Sequence, residues 1–598
     1  MRATLLAVVI AAPITAMMGA VLLQAQASAG EKVFADRCAS CHSGAADARA
    51  PAPESLRSRS PLAIVESLVN GAMRTQGSRL TGAERRAVAE FLTGRPVEGD
   101  VSGATTGKCA TPQQPDRTGA RGWRGWSPIP DNARFQTTEN ASLPVGDIPK
   151  LSLKWAFGFP DASSAWSQPT VSGGRLYVGS QNGTVYALGA TSGCIRWTFA
   201  AAGGVRTAIA IGDGVVYFGD TGANVYAVDA ETGTQRWKRS VESHALARIT
   251  GSPTLHDGRL YVPTSSYEES QGADPLYACC TFRGSVTALD AATGAVIWKA
   301  YTIPDEPQRR GTSTAGVPLW GPSGAAIWSA PTVDSRRGLL YVATGNLYSG
   351  PAHAAANAVI ALDLKTGSVR WSKQVTSNDV YLTGCRAGNP NCPETNGPDV
   401  DFGSPPMLAR TRAGRDLIVI GQKSGIGFAL DPDKNGETVW EYRAGRGGVL
   451  GGIEWGSAVD NERAYFAVSD ITQPQPGGLH AVSLAGGERE WFAAPRPPRC
   501  ASGRGCNAAQ SAAVTAIPGA VFSGSNDGAL RVYSTADGAI LWEFDSNREF
   551  TTVNGVAGRG ASMIGPGPVV AGGMVFVDSG YGAFGGRPGN VLLAFGLK

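Results

Sequence analysis

The strongest constraint on the fold is a short unit that recurs along the chain and ends in tryptophan. It contains an apolar pair, a small or acidic residue, a turn with Gly, and two or three residues before the Trp. The clearest copies are residues 227–237, 288–298 and 361–371, and looser copies end at Trp197, Trp440, Trp491 and Trp542. Each copy predicts a strand, a tight turn and a second strand. A further strand pair precedes most copies, so each repeat has the four short strands of a β-propeller blade.

These seven copies leave one blade incomplete. The chain ends in half a motif, residues 591–595, and the missing Trp half is found at residues 151–155, Leu-Ser-Leu-Lys-Trp. A strand from the start of the propeller that completes the last blade closes the ring and removes open sheet edges. We therefore predict an all-β, eight-bladed propeller over residues 150–598, with the tryptophans packed between blades. The extra residues between Trp237 and Trp440 predict long loops, which place the functional face there.

Length and composition agree with this prediction. A chain of 598 residues is too long for one small core, so at least two domains are expected. With 79 Gly, 37 Pro and 42% hydrophobic residues, the composition favours many short strands and tight turns and excludes a disordered chain. The formal charge of +4 and the lack of a basic stripe argue against a nucleic-acid partner. The sequence contains neither a His-Glu-x-x-His zinc motif nor a G-x-G-x-x-G dinucleotide motif in a βαβ context.

The N-terminus predicts export. Arg2 precedes an apolar run over residues 5–23, and Ala27-Ser28-Ala29 is a small-x-small cleavage pattern, so residues 1–29 are predicted to be a signal peptide. An uncleaved membrane anchor is the alternative, because the apolar run is long. No other segment is long and apolar enough to span a bilayer. We expect a periplasmic protein with no stable membrane span after cleavage.

The ten cysteines of an exported chain predict disulfide bonds. Two pairs would close small loops, and a third would tie the linker to the first blade. The expected pairs are Cys385–Cys392, Cys500–Cys506 and Cys109–Cys194.

Residues 38–42, Cys-Ala-Ser-Cys-His, form the C-x-x-C-H signature of covalent haem attachment. The thiols of Cys38 and Cys41 would bond to one haem c, and His42 would bind the iron. An oxidised Cys38–Cys41 pair is the alternative.

Met73 is the only methionine between Cys41 and residue 100, which makes it the candidate second axial ligand, with a core Met as the alternative. A helix is predicted after it, with Thr81 and Glu84 as a capping box. A Met loop before a final helix resembles the small, all-α class I cytochromes c. We assign residues 30–96 to this domain and residues 97–149 to a linker and approach segment.

The eight Trp motifs of residues 150–598 resemble the alcohol dehydrogenases that depend on pyrroloquinoline quinone (PQQ). A cytochrome placed before the propeller, not after it, is similar to the polyvinyl-alcohol dehydrogenase family of quinohaemoproteins. The resemblance implies PQQ on the propeller axis, held together with Ca²⁺.

The resemblance also implies roles for individual residues. For the cofactor, Trp328 would stack on the quinone, Thr250 would bind it, and Arg206 would pair with a quinone carboxylate. For the metal, Glu268 and Asn346 would be hard-oxygen ligands of Ca²⁺, with Glu269 as the alternative carboxylate.

For the chemistry, Lys423 matches the cation that contacts the quinone carbonyls. The catalytic base would be Asp399 or Asp401, with Asp379 as a third candidate. The Asp-x-Asp pair would alternatively supply one base and one metal ligand, as in lanthanide-using relatives.

Two features depart from the family pattern. Cys279-Cys280 resembles the vicinal disulfide that covers the quinone in methanol dehydrogenases, but it lies between the second and third Trp motifs, later than in that family. Trp166 stands where the family has a cofactor-side Glu, as a substrate contact, a lid contact or a core residue.

The resemblance implies oxidation of secondary alcohol groups, with polyvinyl alcohol as the expected substrate. A base removes the hydroxyl proton, hydride passes to the quinone, and electrons pass to the haem and on to an external cytochrome c or respiratory acceptor. A quinoprotein for another alcohol or a sugar is one alternative. A non-catalytic propeller scaffold is the other, and the haem motif argues against it.

Overall fold

The computed structural model describes residues 29–44, 50–69, 72–77, 80–97, 102–110, 122–503 and 505–598. The predicted signal peptide lies outside the described residues except for its last position, and so does the middle of the predicted linker. The chain divides into two compact units, Met1–Val101 and Ser102–Lys598. No helix among the described residues combines the length and the apolar composition needed to cross a bilayer.

The smaller unit is all-α, as predicted. Its helical segments are residues 29–37, Pro53–Arg57, Pro61–Val69, Arg74–Gly77 and Gly82–Thr93. The last helix begins with the predicted capping box, in which the Thr81 hydroxyl accepts from Glu84 N and the Glu84 carboxylate accepts from Thr81 N. It ends at Gly94, whose φ of 63° is in the left-handed region that favours glycine. Its buried face packs on the helix Pro61–Val69.

The larger unit contains eight antiparallel blade sheets, seven of four strands and one, blade 3, of five, so the eight-bladed propeller is confirmed. The strands of blades 1 to 4, from the inner to the outer edge, are Thr170–Ser172, Arg175–Val178, Thr184–Gly189 and Ile195–Ala200; Ala210–Gly212, Val215–Gly219, Asn224–Asp229 and Gln235–Ser240; Thr254–His256, Arg259–Ser266, Ser285–Asp290 and Val296–Tyr301; Thr332–Asp334, Leu339–Ala343, Ala358–Asp363 and Val369–Gln374. The strands of blades 5 to 8 are Met407–Arg410, Asp416–Gly421, Ile426–Asp431 and Glu437–Arg443; Ala458–Val459, Arg463–Ala467, Leu479–Ser483 and Arg489–Ala493; Thr515–Ile517, Ala520–Gly524, Ala529–Ser534 and Ile540–Asp545; Val569–Ala571, Met574–Ser579, Val591–Leu597 and Leu151–Gly158.

Short elements decorate the loops between these strands. The additional strands are Ala247–Arg248, Gln308–Thr312, Pro318–Gly321, Ser323–Gly324, Leu347–Ser349, Glu549–Phe550 and Gly558–Arg559. The additional helices are Thr138–Ala141 and Glu268–Gln271, with 3₁₀ turns at Val145–Lys150 and Pro432–Lys434.

The last blade closes the ring in the predicted way. Leu151–Gly158 pairs antiparallel with Val591–Leu597, from Leu151 opposite Leu597 to Gly158 opposite Val591. The first strand of the propeller thus becomes the outer strand of its last blade. Antiparallel pairing between the start and the end of the propeller sequence therefore joins the two ends of the ring in one blade.

Tryptophans join each blade to the next. Seven of the eight repeat tryptophans donate an indole N–H bond of 2.9–3.2 Å to a carbonyl of the next blade. Trp371 differs, because its Nε1 is buried without an acceptor in the described part of the chain. The turn that it meets, residues 431–436, is one residue longer than the equivalent turn at 290–294. The ring still packs against Gly436, so the extra residue removes the hydrogen bond and keeps the contact.

Disulfide bonds fix three loops. The three expected pairs, Cys109–Cys194, Cys385–Cys392 and Cys500–Cys506, are present. The propeller unit begins at Ser102, and residues 122–149 of the predicted approach segment pack against it. Trp123 is fully buried, and Arg134 donates to carbonyls of Trp126 and Val514.

Candidate functional site

Two kinds of loop meet in a cavity of ≈ 230 Å³. Thr250 and Trp328 lie on loops that join successive blades, whereas Asn346 and Lys423 lie on loops that join the second and third strands of one blade. In an antiparallel blade both kinds of loop lie at the same end of the strands, so their residues meet around the axis of the ring. Eight of the residues singled out from the sequence line this one cavity: Arg206, Thr250, Glu269, Trp328, Asn346, Asp399, Asp401 and Lys423. Residues spread over more than 200 positions of sequence therefore form one chemical site.

Lys423 follows the strand Asp416–Gly421 and contacts both carboxylates of the Asp-x-Asp pair. Its Nζ lies 2.6 Å from Asp399 Oδ1 and 3.9 Å from Asp401 Oδ2. Burial alone would lower the pKa of Lys423, but the two carboxylates outweigh it and raise that pKa. Burial raises the pKa of Asp399 well above its usual range, against the opposing charge of Lys423. The cavity therefore holds a lasting positive charge beside an aspartate that readily accepts a proton.

Asp379 accepts hydrogen bonds from the backbone of the Asp-x-Asp segment. Its carboxylate accepts from Asp399 N at 3.2 Å, from Val400 N at 2.9 Å and from Asn357 Nδ2 at 2.8 Å. Asp399 has a φ of 55°, a strained conformation that these bonds help to maintain. Asp379 lies outside the cavity lining, so it is a positioning residue and not the third candidate base.

Asp401 and Asn346 are coupled directly. Asp401 Oδ1 accepts from Asn346 N at 2.7 Å. The side-chain amide of Asn346 donates to Leu347 O at 2.8 Å and to Tyr381 O at 3.0 Å. Because both amide hydrogens are used, the amide oxygen is the atom left to bind a ligand.

Glu268, the first choice of carboxylate ligand, does not line the cavity. It is fully buried, and its oxygens accept from Tyr277 Oη, Thr281 N and Phe282 N at 2.7–2.9 Å. Glu269 lines the cavity and accepts from Thr383 Oγ1 at 2.9 Å. Burial, followed by the charge of Asp401, raises the pKa of Glu269 to about 7. Adjacent residues of a helical turn point in different directions, so a shift of one residue decides which carboxylate faces the cavity.

Aromatic rings form the base of the cavity. Trp328 also lines a smaller cavity of ≈ 30 Å³, so it separates the two spaces. Trp455 meets Trp328 edge to face at 5.2 Å, and the guanidinium of Arg206 lies 4.6 Å from the Trp455 ring centre. Thr250 Oγ1 is 2.7 Å from Ser265 Oγ.

Trp166 and the vicinal cysteines lie away from the main cavity. Trp166 lines the smaller cavity and donates from Nε1 to Val205 O at 3.0 Å, so it is not a direct contact of the main one. Cys279 and Cys280 are bonded to each other as expected. They are buried in a cluster with Phe282, Tyr348 and Leu382, behind the loop that carries Glu269. The structure therefore does not place them over the cavity as cofactor contacts.

The cavity lining also includes residues that were not identified from the sequence, among them Glu454, Trp455 and Phe584. Glu454 is 4% exposed, and its Oε2 has no hydrogen-bond partner in the described ranges. Burial raises the pKa of Glu454 to about 7. One signal was available, since Glu454 is the only charged residue in the Gly-rich stretch 447–457.

The small unit has its own cavity of ≈ 290 Å³, which Cys38, His42 and Met73 line together with apolar side chains such as Ile64 and Leu68. His42 Nδ1 lies 2.7 Å from Pro51 O. A carbonyl only accepts, so Nδ1 carries the proton and Nε2 is available to bind iron. Cys38 and the exposed Cys41 carry free thiols, so the alternative of a bond between them is not observed.

The metal-binding candidates form a mixed set of oxygens. Within the described ranges, no three His, Cys, Asp or Glu residues are arranged as a ready-made metal site. The Asn346 amide oxygen, together with the carboxylates of Glu269 and Asp401, gives hard-oxygen donors of the kind that Ca²⁺ prefers. These residues fit a divalent cation beside Lys423.

Family comparisons match both units. The family described as outer membrane protein assembly factor BamB matches residues 114–320 and 429–595. The β-propeller domain of glucose, ethanol and alcohol dehydrogenases matches residues 249–445. The family of cytochrome c oxidase cbb3-type subunit III matches residues 25–92.

Solved structures share the propeller fold. A quinohemoprotein alcohol dehydrogenase from Pseudomonas putida HK5 superposes with a TM-score of 0.61 at 17% identity, covering 80% of this chain and 81% of that one. A europium-containing methanol dehydrogenase superposes with a TM-score of 0.59 at 16% identity, covering 80% and 98%. At these identities the likeness establishes the fold alone.

Two curated relatives extend over nearly the whole chain. A polyvinylalcohol dehydrogenase of a Pseudomonas species is 40% identical, covering 95% of this chain and 93% of the relative. A second polyvinylalcohol dehydrogenase, from Sphingopyxis sp. strain 113P3, is 39% identical, covering 95% and 92%. The chain therefore belongs to the polyvinyl-alcohol dehydrogenase family of PQQ-dependent, haem-c-containing alcohol dehydrogenases.

Proposed function

We propose that this protein oxidises secondary alcohol groups of polyvinyl alcohol in the periplasm and passes the electrons through its own haem. The observation that carries the proposal is the buried contact between Lys423 and Asp399 beside Trp328 in the axial cavity. This contact puts a proton acceptor and a fixed positive charge in one confined space. The predicted signal peptide and the disulfide bonds support a location in the periplasm.

The cavity residues fit a planar, anionic quinone. Trp328 offers an aromatic face, and Thr250 offers a hydroxyl on the same wall. Arg206 Nη2 is buried without a hydrogen-bond partner among the described residues, so it is suited to pair with a carboxylate of PQQ. When bound there, PQQ supplies the hydride acceptor.

Glu269, Asn346 and Asp401 would hold Ca²⁺ through oxygen atoms. A divalent cation at this point would offset the crowding of buried carboxylates and would polarise a quinone oxygen. Asp401 fits the ligand role because Asn346 N fixes its Oδ1, which orients the carboxylate in the cavity. This assigns one aspartate of the pair to the metal and the other to the proton.

Asp399 would act as the general base. Its Oδ1 contacts Lys423 and its side chain lines the cavity, so it is placed to accept a proton from a substrate hydroxyl. Burial gives it the raised pKa that an effective base requires. Lys423 would remain protonated and stabilise negative charge that develops beside it.

In the small unit, Cys38 and Cys41 would attach the haem, and His42 and Met73 would bind its iron. Methionine ligation raises the haem reduction potential, which suits an acceptor of electrons from the propeller. A periplasmic cytochrome c or another respiratory acceptor would then reoxidise the haem.

Two aspartate variants test these roles. With PQQ, Ca²⁺ and a dye acceptor, Asp399→Asn is expected to reduce alcohol oxidation by about 10²-fold or more while retaining bound calcium. Asp401→Asn is expected to lose calcium. Asp305→Asn, at an exposed site, is the matched control and is expected to retain both properties. Full activity in Asp399→Asn would overturn the assignment of the base.

A further inference from the structure

The mouth of the axial cavity carries exposed apolar side chains. Half of the residues that line the cavity are buried, whereas Val449 is 38% exposed and Phe584 is 42% exposed. Leu450 lines the cavity beside Val449. We refer to Val449, Leu450 and Phe584 as the apolar rim.

Phe584 is fixed in an unfavourable backbone conformation. Its φ of 49° lies in the left-handed region, which a bulky side chain rarely adopts. Its ring packs edge to face on Trp455 at 5.5 Å and lies 5.5 Å from the Arg206 guanidinium. Strain of this kind persists where the surrounding structure enforces it, and it is concentrated at functional sites.

The loop that carries Val449 is also fixed. The buried carboxylate of Asp470 accepts from Arg446 N at 2.7 Å, from Gly447 N at 3.0 Å and from Gly452 N at 2.6 Å. These bonds close the loop from inside and leave Val449 at its tip. The rim is therefore in place before any ligand binds, which reduces the entropy lost on binding.

The two halves of the rim are in contact. Ile471 N donates to Leu450 O at 3.2 Å. Gly585 lies against Ile471 and Leu450, since a Cβ at Gly585 would come within 3.6 Å of Leu450 Cδ1. The loop that carries Phe584 therefore packs against the loop that carries Val449 and Leu450.

The other lining loop, residues 265–270, is polar. Ser266, Tyr267 and Ser270 line the cavity, and Ser270 is exposed. The opening therefore combines an apolar strip with hydroxyl groups that form hydrogen bonds. A carbon chain that alternates methylene groups with hydroxyl-bearing carbons has the same mixture of surfaces.

We propose that the apolar rim binds the methylene segments on either side of the reacting carbinol, and that it selects long-chain alcohols over short ones. This inference rests on the proposed function, because it assigns a substrate class to the same cavity. A short alcohol reaches Asp399 without extending to the rim, whereas a chain that enters the cavity must pass over Val449 and Phe584. The rim thus contributes to the binding of the chain and not to the chemical step.

The test compares polyvinyl alcohol with 2-propanol as substrates of the holoprotein. In Phe584→Ala, the ratio of kcat/KM for the polymer to kcat/KM for 2-propanol is expected to fall about tenfold, and Phe584→Leu is expected to restore most of it. Ile129→Ala removes an exposed apolar side chain outside the cavity lining and is expected to leave the ratio unchanged. An unchanged ratio in Phe584→Ala would overturn the inference, whether or not both rates fall.

A second measurement does not depend on turnover. In gels that contain polyvinyl alcohol, we expect the polymer to retard the wild-type protein during electrophoresis. The double variant Val449→Ser, Phe584→Ala is expected to be retarded less than the wild type. Equal retardation would overturn the inference. If the wild-type protein oxidises neither alcohol but is retarded in this gel, the proposed function fails and the rim remains supported.

Discussion

Lys423 Nζ lies 2.6 Å from Asp399 Oδ1 within the axial cavity, and both side chains are almost completely buried. The positive charge of Lys423 opposes the effect of burial on the pKa of Asp399, so the lysine keeps the base ionised to lower pH.

Lys423→Ala is therefore expected to affect both the rate and its pH dependence. The rate of alcohol oxidation should fall about 10²-fold or more through loss of the fixed charge. The pKa of Asp399 should rise without its partner, so the acidic limb of the rate profile should move to higher pH. Lys423→Arg keeps the charge and should retain part of the rate. A Lys423→Ala profile that coincides with the wild type would contradict this account.

Glu268 and Glu269 are adjacent and provide a matched pair of variants. Glu269→Gln should weaken Ca²⁺ binding by about tenfold or more, since it removes a charged ligand from the cavity. Glu268→Gln should mainly lower the melting temperature, because its carboxylate holds the loop 277–282 through buried hydrogen bonds. Calcium titration and thermal unfolding of both variants measure the two effects. If Glu268→Gln weakens Ca²⁺ binding and Glu269→Gln mainly lowers the melting temperature, the ligand is Glu268 and not Glu269.

Glu454 should make the stability of the apoprotein depend on pH. Its pKa is raised by burial to about 7 in the folded state, while the unfolded chain has an ordinary glutamate. The folded protein then binds the extra proton between about pH 4.5 and 7, so stability falls as pH rises through that window, by up to about 3 kcal/mol from this residue. Glu454→Gln should remove that part of the dependence. Denaturant unfolding at a series of pH values measures this dependence. If the free energy of unfolding falls equally steeply with pH in Glu454→Gln and in the wild-type protein, the assignment is contradicted.

The Trp docking bonds predict unequal effects of one substitution at two blades. In Trp440→Phe, the carbonyl of Leu484 loses its 3.0 Å donor, which should cost about 1 kcal/mol or more beyond the change in packing. In Trp371→Phe, no indole hydrogen bond is lost. Thermal unfolding should therefore show a larger decrease for Trp440→Phe. Equal decreases would mean that ring packing alone joins the blades.

The fold was predictable because the signals for it are periodic. The Trp motif repeats, and the half motifs at Trp155 and at residues 591–595 indicate how the ring closes. The haem motif and the disulfide pairs were also readable from spacing. Such features depend on residue type and order, which the sequence states directly.

The details of the site were less predictable, because they depend on the direction of single side chains. A one-residue difference separates Glu268, which supports a loop, from Glu269, which faces the cavity. Cys279 and Cys280 form the expected bond, yet neither lines the cavity. Phe584 belongs to the site because its ring packs on Trp455 at the cavity, and no local pattern indicates that contact.

Rapid mixing of the oxidised holoprotein with polyvinyl alcohol, while the haem spectrum is recorded, follows the transfer of electrons from the alcohol to the haem. We expect the haem to be reduced only when PQQ, Ca²⁺ and the alcohol are all present. We also expect Lys423→Ala to slow this reduction without changing the haem content. A haem that stays oxidised under these conditions, while the protein retains PQQ, would contradict the claim that the propeller oxidises alcohol and passes the electrons to its own haem.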